Sequence, residues 1–190
     1  MKNKIRFRKC KSCQEKFEVN PFKPLIPVCS IKCSIEYSKL LKSNKEAKEW
    51  RDKKVIMKEN LLSHKDWLNI LQVHFNTFIR FRDKDKGCIS CGIALDRKFD
   101  AGHYYSVGHY PALRFDENNV HGQCVSCNQW MHGNLIMYAE KLPKRIGIDA
   151  FEVLTKKRES ISKFSIPEIK EKIKYYKEKN KHYAANSRNW

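Results

Sequence analysis

Eight cysteines arranged as four close pairs constrain this 190-residue chain more than any other feature of its sequence. Two thiolates separated by two or three residues can converge on one cation, and two such turns complete a tetrahedral zinc site. Free cysteines or redox-active pairs would not require this regular pairing, which leaves no cysteine over. The sequence therefore predicts two structural zinc ions, with Cys10, Cys13, Cys29 and Cys33 as the first ligand set and Cys88, Cys91, Cys124 and Cys127 as the second.

The N-terminal stretch "MKNKIRFRKCKSC" is basic and lacks the apolar segment of a signal peptide. Nowhere do about 18 apolar residues follow one another, as a membrane-spanning helix would require. We therefore expect a soluble cytoplasmic protein with no membrane partner. In that reducing compartment disulfides are poor alternatives to the zinc sites.

The charge of the chain favours a polyanionic partner. There are 39 Lys and Arg residues against 21 Asp and Glu, a formal net charge of +18. Such a field binds phosphate backbones through counterion release, without sequence information. A membrane surface or no specific partner is the alternative, but the basic residues are spread along the chain without a strongly apolar amphipathic segment. DNA is therefore the expected partner.

Four segments are predicted. Residues 1–33 form the N-terminal four-cysteine zinc knuckle. Residues 34–62 contain no Pro or Gly and are rich in Lys and Glu, which predicts a long charged helix, either a solvated linker or a dimer or DNA-binding helix. Residues 63–142 form a zinc-stabilised core preceded by a helix that Ser63 and Asp66 begin. Residues 143–190 form a C-terminal helical extension.

The core segment contains a mixture of short strands and helix. Between the two CxxC pairs, Gly102 and Gly108 interrupt the apolar runs, which favours strands and turns. The stretch "NQWMHGNLIMYAEKL" after Cys127 is typical of a helix. The fold class is therefore α+β, with the order zinc knuckle, two strands, helix.

The sequences "CISCG", "DAGHY", "LRFDENNVHGQC" and "CNQ…GNL" resemble the phage NinG proteins, also called Rap, over most of the chain. More broadly, the segment is similar to the HNH or ββα-metal nuclease fold in its zinc-bound form. The resemblance implies that His103 is the general base, that Asn119 braces the hairpin loop, and that Asn128 is a metal ligand at the start of the helix. Many members have Asp directly before the base, where this chain has Gly102, and the nearest acid is Asp100.

The chemistry of phosphodiester cleavage suits these residue types. It needs a base that activates water and a divalent cation that stabilises charge on the phosphate and on the leaving oxygen. Histidine, with an ordinary pKa of about 6.5, is largely neutral at working pH. Asp100 and Asn128 offer the oxygen ligands that Mg²⁺ or Mn²⁺ prefers.

Other polar residues have both a functional and a structural interpretation. His121 could assist the metal or touch phosphate, and a structural role at a strand position is the alternative. His132 lies four residues after Asn128, on the same face of the expected helix, and could join the site or contact DNA. Arg114 and Lys141 could steady the scissile phosphate or contribute only surface charge.

The resemblance to NinG implies a structure-selective DNA endonuclease that acts on branched recombination intermediates such as Holliday junctions. It would be phage- or prophage-encoded and would work in the cytoplasm of a bacterial host. Symmetrical cutting of a four-way junction needs two active sites, so a homodimer is expected, with the 34–62 helix a candidate interface. The alternatives are an HNH endonuclease that nicks duplex DNA and a non-catalytic zinc-finger DNA-binding protein.

Overall fold

A computed structural model describes residues 6–20, 22, 25–160 and 163–186 of the chain. The chain divides into two compact units, residues 1–61 and residues 62–190. The fold class is α+β, as predicted: it is mostly helical, with two small two-stranded sheets. No helix within these described ranges is both long enough and apolar enough to cross a membrane.

The first unit consists of a short hairpin and one long helix. Strand β1 (Phe7–Lys9) pairs antiparallel with β2 (Lys16–Glu18), and helix α1 runs from Ile31 to Asn60. Ser30 caps α1 by accepting a hydrogen bond from the backbone N–H of Cys33 at 3.2 Å. The helix therefore begins three residues before the predicted boundary at residue 34, and Cys33 lies in its first turn.

Helix α1 has no apolar face. Cys33 is its one buried residue, and the large apolar side chains Leu40, Leu41 and Trp50 are half or more exposed. These apolar side chains are therefore not buried within the unit.

In the second unit, two helices form the main core. Helix α2 (His64–Asp83) begins at the predicted capping box, in which Ser63 and Asp66 bond to each other's backbone N–H groups. Helix α5 (Ile166–Asn186) packs along α2. The buried side chains come from both helices and from the hairpin between them in sequence: Trp67, Leu71, Phe75, Phe78, Ile79, Phe115, Val120, Ile169, Ile173 and Tyr176. The predicted C-terminal extension thus completes the same core.

A β-hairpin lies between α2 and the later helices in sequence. Strand β3 (Phe99–His103) pairs antiparallel with β4 (Val120–Cys124), with His103 opposite Val120 and Asp100 opposite Gln123. Side chains alternate between the two faces of a strand. Ala101 and Val120 on one face pack against the core of α2, whereas Asp100, Gly102 and Gln123 lie on the other face.

The chain after the hairpin is not the continuous helix that was expected. A π-helical turn spans Ser126–Trp130, and helix α3 begins only at Leu135 and ends at Ile146, followed by α4 (Ile148–Lys157). Between them, His132, Gly133 and Asn134 all have positive φ angles of 48°, 89° and 42°. Because this left-handed segment separates the two helical pieces, the prediction that His132 shares a helical face with Asn128 is wrong.

Candidate functional site

The first cysteine tetrad has the dimensions of a metal site. The four sulfur atoms of Cys10, Cys13, Cys29 and Cys33 all lie within 4.8 Å of one another. The sulfur of Cys29 lies 3.6 Å from that of Cys13 and 3.6 Å from that of Cys33. A tetrahedron with Zn–S bonds of about 2.3 Å has an edge of about 3.8 Å, so these spacings fit one zinc ion. The tetrad thereby joins three parts of the first unit: the loop between β1 and β2, the turn before α1 and the first turn of α1.

The second tetrad links the segment before β3, which contains Cys88 and Cys91, to the end of β4 and the turn that follows it, which contain Cys124 and Cys127. The sulfur atoms of Cys88, Cys91, Cys124 and Cys127 also lie within 4.8 Å of one another, and Cys91 and Cys124 are 3.7 Å apart. Burial acts to raise the pKa of Cys88, but the backbone N–H groups of Cys91 and Cys124 outweigh it and lower the pKa to about 7. A thiol that ionises this readily is a good zinc ligand. Both tetrads therefore fit structural zinc.

His103 is held at the end of β3 by one backbone contact. Its Nε2 lies 3.0 Å from the carbonyl oxygen of Arg114. A carbonyl only accepts, so Nε2 carries the proton and Nδ1 bears the lone pair. Among the described residues Nδ1 has no hydrogen-bond partner. Burial lowers the pKa of His103 below its ordinary value, and this effect exceeds the opposing influence of the Arg114 carbonyl.

Asn119 closes the loop between the two strands. It is fully buried, its Nδ2 donates to the carbonyls of Tyr105 and Leu113 at 3.0 Å each, and its Oδ1 accepts from the backbone N–H of Tyr105 at 2.8 Å. The segment that these bonds enclose includes Arg114, whose carbonyl orients His103. Asn119 therefore fastens this loop through three hydrogen bonds.

Asp100 and Asn128 lie in direct contact. Oδ2 of Asp100 accepts hydrogen bonds from Nδ2 of Asn128 at 2.9 Å and from Nε2 of Gln129 at 2.7 Å. If the side-chain amide of Asn128 or Gln129 is rotated by 180°, its oxygen takes the position that its nitrogen holds here. A carboxylate beside two amides is a donor set of the hard oxygen type that Mg²⁺ and Mn²⁺ bind. These residues therefore fit a divalent cation, and they lie on the face of β3 opposite to His103.

The glycine that replaces the expected aspartate has a structural cause. A Cβ atom added to Gly102 would collide with Oε1 of Gln123 and lie 3.1 Å from both Cβ and Cδ of that side chain. Gln123 is fully buried, and its Nε2 donates to Oγ of Ser90 at 2.7 Å and to the Gly133 carbonyl. Because this side chain is pinned, a side chain at residue 102 would require the buried Gln123 to shift, and Asp100 is the acid nearest to His103 in sequence on this face.

The contacts of His121 favour the structural interpretation over the functional one. It is 3% exposed, its Nδ1 accepts from the Arg82 guanidinium at 3.0 Å, and its Nε2 donates to the Asn118 carbonyl at 3.1 Å. Both ring nitrogens are thus occupied. Asp83 beside it is fully buried and accepts from Arg82 and from the backbone N–H of Gly122. This network attaches β4 to the end of α2.

The predicted DNA contacts differ in their surroundings. Arg114 is half-buried, and its Nε donates to Oε1 of Gln72 on α2 at 2.8 Å. Lys141 on α3 is half-buried, whereas His132 is exposed in the left-handed turn. Sequence reasoning missed Gln123 and Gln129, which line the Asp100 side of the hairpin. Their positions next to Cys124 and Asn128 were the only signal available in the sequence.

The fold and the two tetrads define a basic α+β protein with two four-cysteine clusters, each of which could hold a metal ion. The family model described as "Bacteriophage Lambda NinG protein" matches residues 2–186. The chain belongs to the NinG family.

Similar curated proteins are all named "Protein ninG". The one from Salmonella phage P22 is 48% identical over 101 residues, 53% of this chain and 50% of that protein. Those from Escherichia phage 933W and Escherichia phage lambda are each 46% identical, over 102 and 101 residues, covering 54% and 53% of this chain and 51% and 50% of those proteins. The chain thus spans about half the length of the curated relatives it matches. No solved structure matches it.

Proposed function

We propose that this protein is a metal-dependent DNA endonuclease of the ββα-metal type that acts on branched recombination intermediates such as Holliday junctions. The observation that carries the proposal is the arrangement around β3. One face presents the Asp100 carboxylate with the Asn128 amide 2.9 Å away, and the other presents His103 with Nδ1 unprotonated. These are the two kinds of group that phosphodiester hydrolysis requires.

His103 acts as the general base. The Arg114 carbonyl holds the Nε2–H tautomer, so Nδ1 can take a proton from an attacking water. Since burial lowers the pKa of His103, the ring is neutral at pH 7 and available for this step. Asn119 acts through Arg114, because its three hydrogen bonds fix the loop that carries the orienting carbonyl.

Asp100 and Asn128 would hold the divalent cation, Mg²⁺ or Mn²⁺, with Gln129 next to them. When bound there, the cation would supply charge stabilisation at the phosphate and at the leaving 3′ oxygen. In-line displacement puts the attacking water and the leaving oxygen on opposite sides of the phosphorus. His103 lies at the end of β3, three residues or about 10 Å along the strand from Asp100, and the proposal requires the scissile phosphodiester to cross that end of the strand.

The zinc ions serve as structural elements in this account. Four cysteine ligands close the coordination sphere, so neither zinc offers a position to water or phosphate. A zinc ion at the second tetrad would hold Cys124 and Cys127 together and so help to position Asn128, the next residue. Arg114, Lys141 and His132 remain proposed DNA contacts.

Branched DNA is proposed from the resemblance to NinG and Rap proteins, and the +18 charge supports a nucleic-acid substrate. Paired cuts across a junction would require two active sites. We therefore propose a homodimer, working in the cytoplasm of the bacterial host.

One cleavage assay tests the proposal. A four-way junction, a fork and a linear duplex of matched sequence are incubated with the protein and Mg²⁺, Mn²⁺ or no added divalent cation. We expect metal-dependent cutting, fastest on the junction. Equal cutting of all three would favour a duplex-nicking enzyme, and binding with no cutting under any metal would favour a non-catalytic zinc protein, for which Gly102 is the structural argument.

A further inference from the structure

Four exposed apolar residues follow Asn128 closely in sequence. Trp130 is 79% exposed, Met131 53%, Leu135 48% and Ile136 86%. Trp130 is the last residue of the π-helical turn that contains Asn128 and Gln129. Nothing in the described part of the chain covers this tryptophan, although large aromatic side chains are usually mostly buried.

Several hydrogen bonds hold the turn that carries Trp130. The backbone N–H of Gly133 donates to the Cys127 carbonyl at 2.9 Å, and Nδ2 of Asn134 lies 3.4 Å from the sulfur of Cys127. The buried amide of Gln123 donates to the Gly133 carbonyl. A zinc ligand and a fully buried side chain therefore fix the backbone just after the exposed ring. Such a fixed, exposed aromatic side chain can bind with little loss of conformational freedom.

The charge pattern indicates which partner this surface suits. Between Glu117 and Glu140 the sequence has no Asp, Glu, Lys or Arg, although 32% of the whole chain is charged. A phosphate-binding surface would need cations here, whereas the flat face of a nucleobase stacks on an aromatic ring without them. The net charge of +18 attracts DNA to the rest of the molecule. A stable contact between two protein copies buries about 800 Å² on each, more than these few side chains supply.

We infer that Trp130 is a stacking platform for an unpaired or unstacked base at a DNA branch point, next to the phosphodiester to be cut. This inference rests on the proposed function and names the feature of the substrate that it recognises. In a continuous duplex every base is already stacked and paired, and displacing one costs a few kcal/mol. At a branch point that cost is smaller. Trp130 therefore favours branched over linear DNA.

The test compares Trp130→Ala and Trp130→Phe with a control, Phe7→Ala, which alters another exposed aromatic side chain, 66% exposed on β1. Affinities for a four-way junction and for a linear duplex are measured without added divalent cation, so that no cleavage occurs. Trp130→Ala should weaken junction binding about ten-fold and leave duplex binding within about two-fold. Trp130→Phe should retain most of the preference for the junction, and Phe7→Ala should leave the ratio of the two affinities unchanged.

A junction with 2-aminopurine at its branch point supplies a second measurement. Wild type and Trp130→Phe should change the probe's fluorescence on binding, and Trp130→Ala should not. Zinc content and thermal melting should be equal in all variants, because Trp130 is exposed. The inference would be overturned if Trp130→Ala left the ratio of junction to duplex affinity unchanged, or weakened binding to both DNAs equally. A change from dimer to monomer in sedimentation would also overturn it, because it would assign the surface to a second copy of the chain.

These binding measurements separate the inference from the proposed nuclease activity. If Trp130→Ala lowers the ratio of junction affinity to duplex affinity as expected, while the wild-type protein cuts no DNA, the stacking role stands and the nuclease proposal fails. If wild type cuts junctions but the ratio does not change, the nuclease proposal stands and Trp130 has no stacking role.

Discussion

The amide of Gln123 occupies the space beside Gly102 that any side chain at residue 102 would require. Gln123 cannot move aside freely, since Ser90 and the Gly133 carbonyl both accept hydrogen bonds from its Nε2. The glycine before His103 thus leaves room for the buried side chain of a glutamine on the neighbouring strand. On this face of β3 the candidate metal site has its acid at residue 100.

Gly102→Ala should destabilise the protein by about 1–3 kcal/mol, the usual range for overpacking a buried position. In a Gln123→Ala background the same substitution should cost much less, because the colliding atoms are absent. Urea unfolding of the two single variants and the double variant measures this coupling. Additive losses would show that the two residues do not compete for the same space.

Elemental analysis should find two zinc ions per chain in protein purified without chelator. Cys13→Ser and Cys91→Ser should each reduce the content to one, because each removes one ligand of a different tetrad. Cys13→Ser should leave the melting of the second unit unchanged, whereas Cys91→Ser should lower it strongly. One zinc per wild-type chain would contradict the assignment of the first tetrad.

Asp83 should contribute stability in a pH-dependent way. Burial acts to raise its pKa, but the charged Arg82 guanidinium and the hydrogen bonds from Arg82 and from the backbone N–H of Gly122 outweigh it and hold the pKa well below the ordinary value of about 3.9. The ionised carboxylate therefore stabilises the fold above about pH 4, and this contribution declines as the pH falls below that value toward the folded-state pKa.

Asp83→Asn should consequently lower the free energy of unfolding by about 3 kcal/mol at pH 7, by leaving Arg82 incompletely paired. The difference from wild type should narrow as the pH falls from 5 to 3. Asp85→Asn is the matched control, since the Asp85 side chain is 86% exposed, and it should change little. A difference that stays constant with pH would mean that the charge of Asp83 is not what stabilises the fold.

Sequence patterns predicted the elements that depend on neighbours along the chain. The Ser63 and Asp66 capping box, the cysteine tetrads and the hairpin all follow from short spacings. The break at residues 131–134 could not be predicted in the same way. Its left-handed residues include His132 and Asn134, and contacts from Gln123 and Cys127 hold the turn.

The role of His121 depended on contacts distant in sequence. Its partner Arg82 lies 39 residues away on α2, and no local spacing indicates that the two meet. The pattern of polar residues in "NNVHGQC" is equally compatible with a catalytic site and with a buried network. By contrast, the contacts of Asn119 depend only on the hairpin, because its three hydrogen bonds are made to Tyr105 and Leu113 in the enclosed loop.

The pH dependence of cleavage should reflect the pKa of the buried His103 imidazole. Because burial lowers the pKa of His103, the ring stays neutral as the pH falls through 6.5, and the acid limb of the rate profile should lie below that ordinary value. Single-turnover cleavage rates at saturating metal give the profile. An acid limb above pH 7 would mean that another group controls the rate.

The most direct test of the account is single-turnover junction cleavage by His103→Ala. The variant should lose about 10²-fold or more in rate, the usual effect of removing a general base, while both zinc ions, the thermal melt and junction affinity stay near wild type. Added Mn²⁺ should partly rescue Asp100→Ala, which alters the candidate metal site, and should not rescue His103→Ala. Cleavage by a folded His103→Ala protein at the wild-type rate would contradict the assignment of His103 as the base.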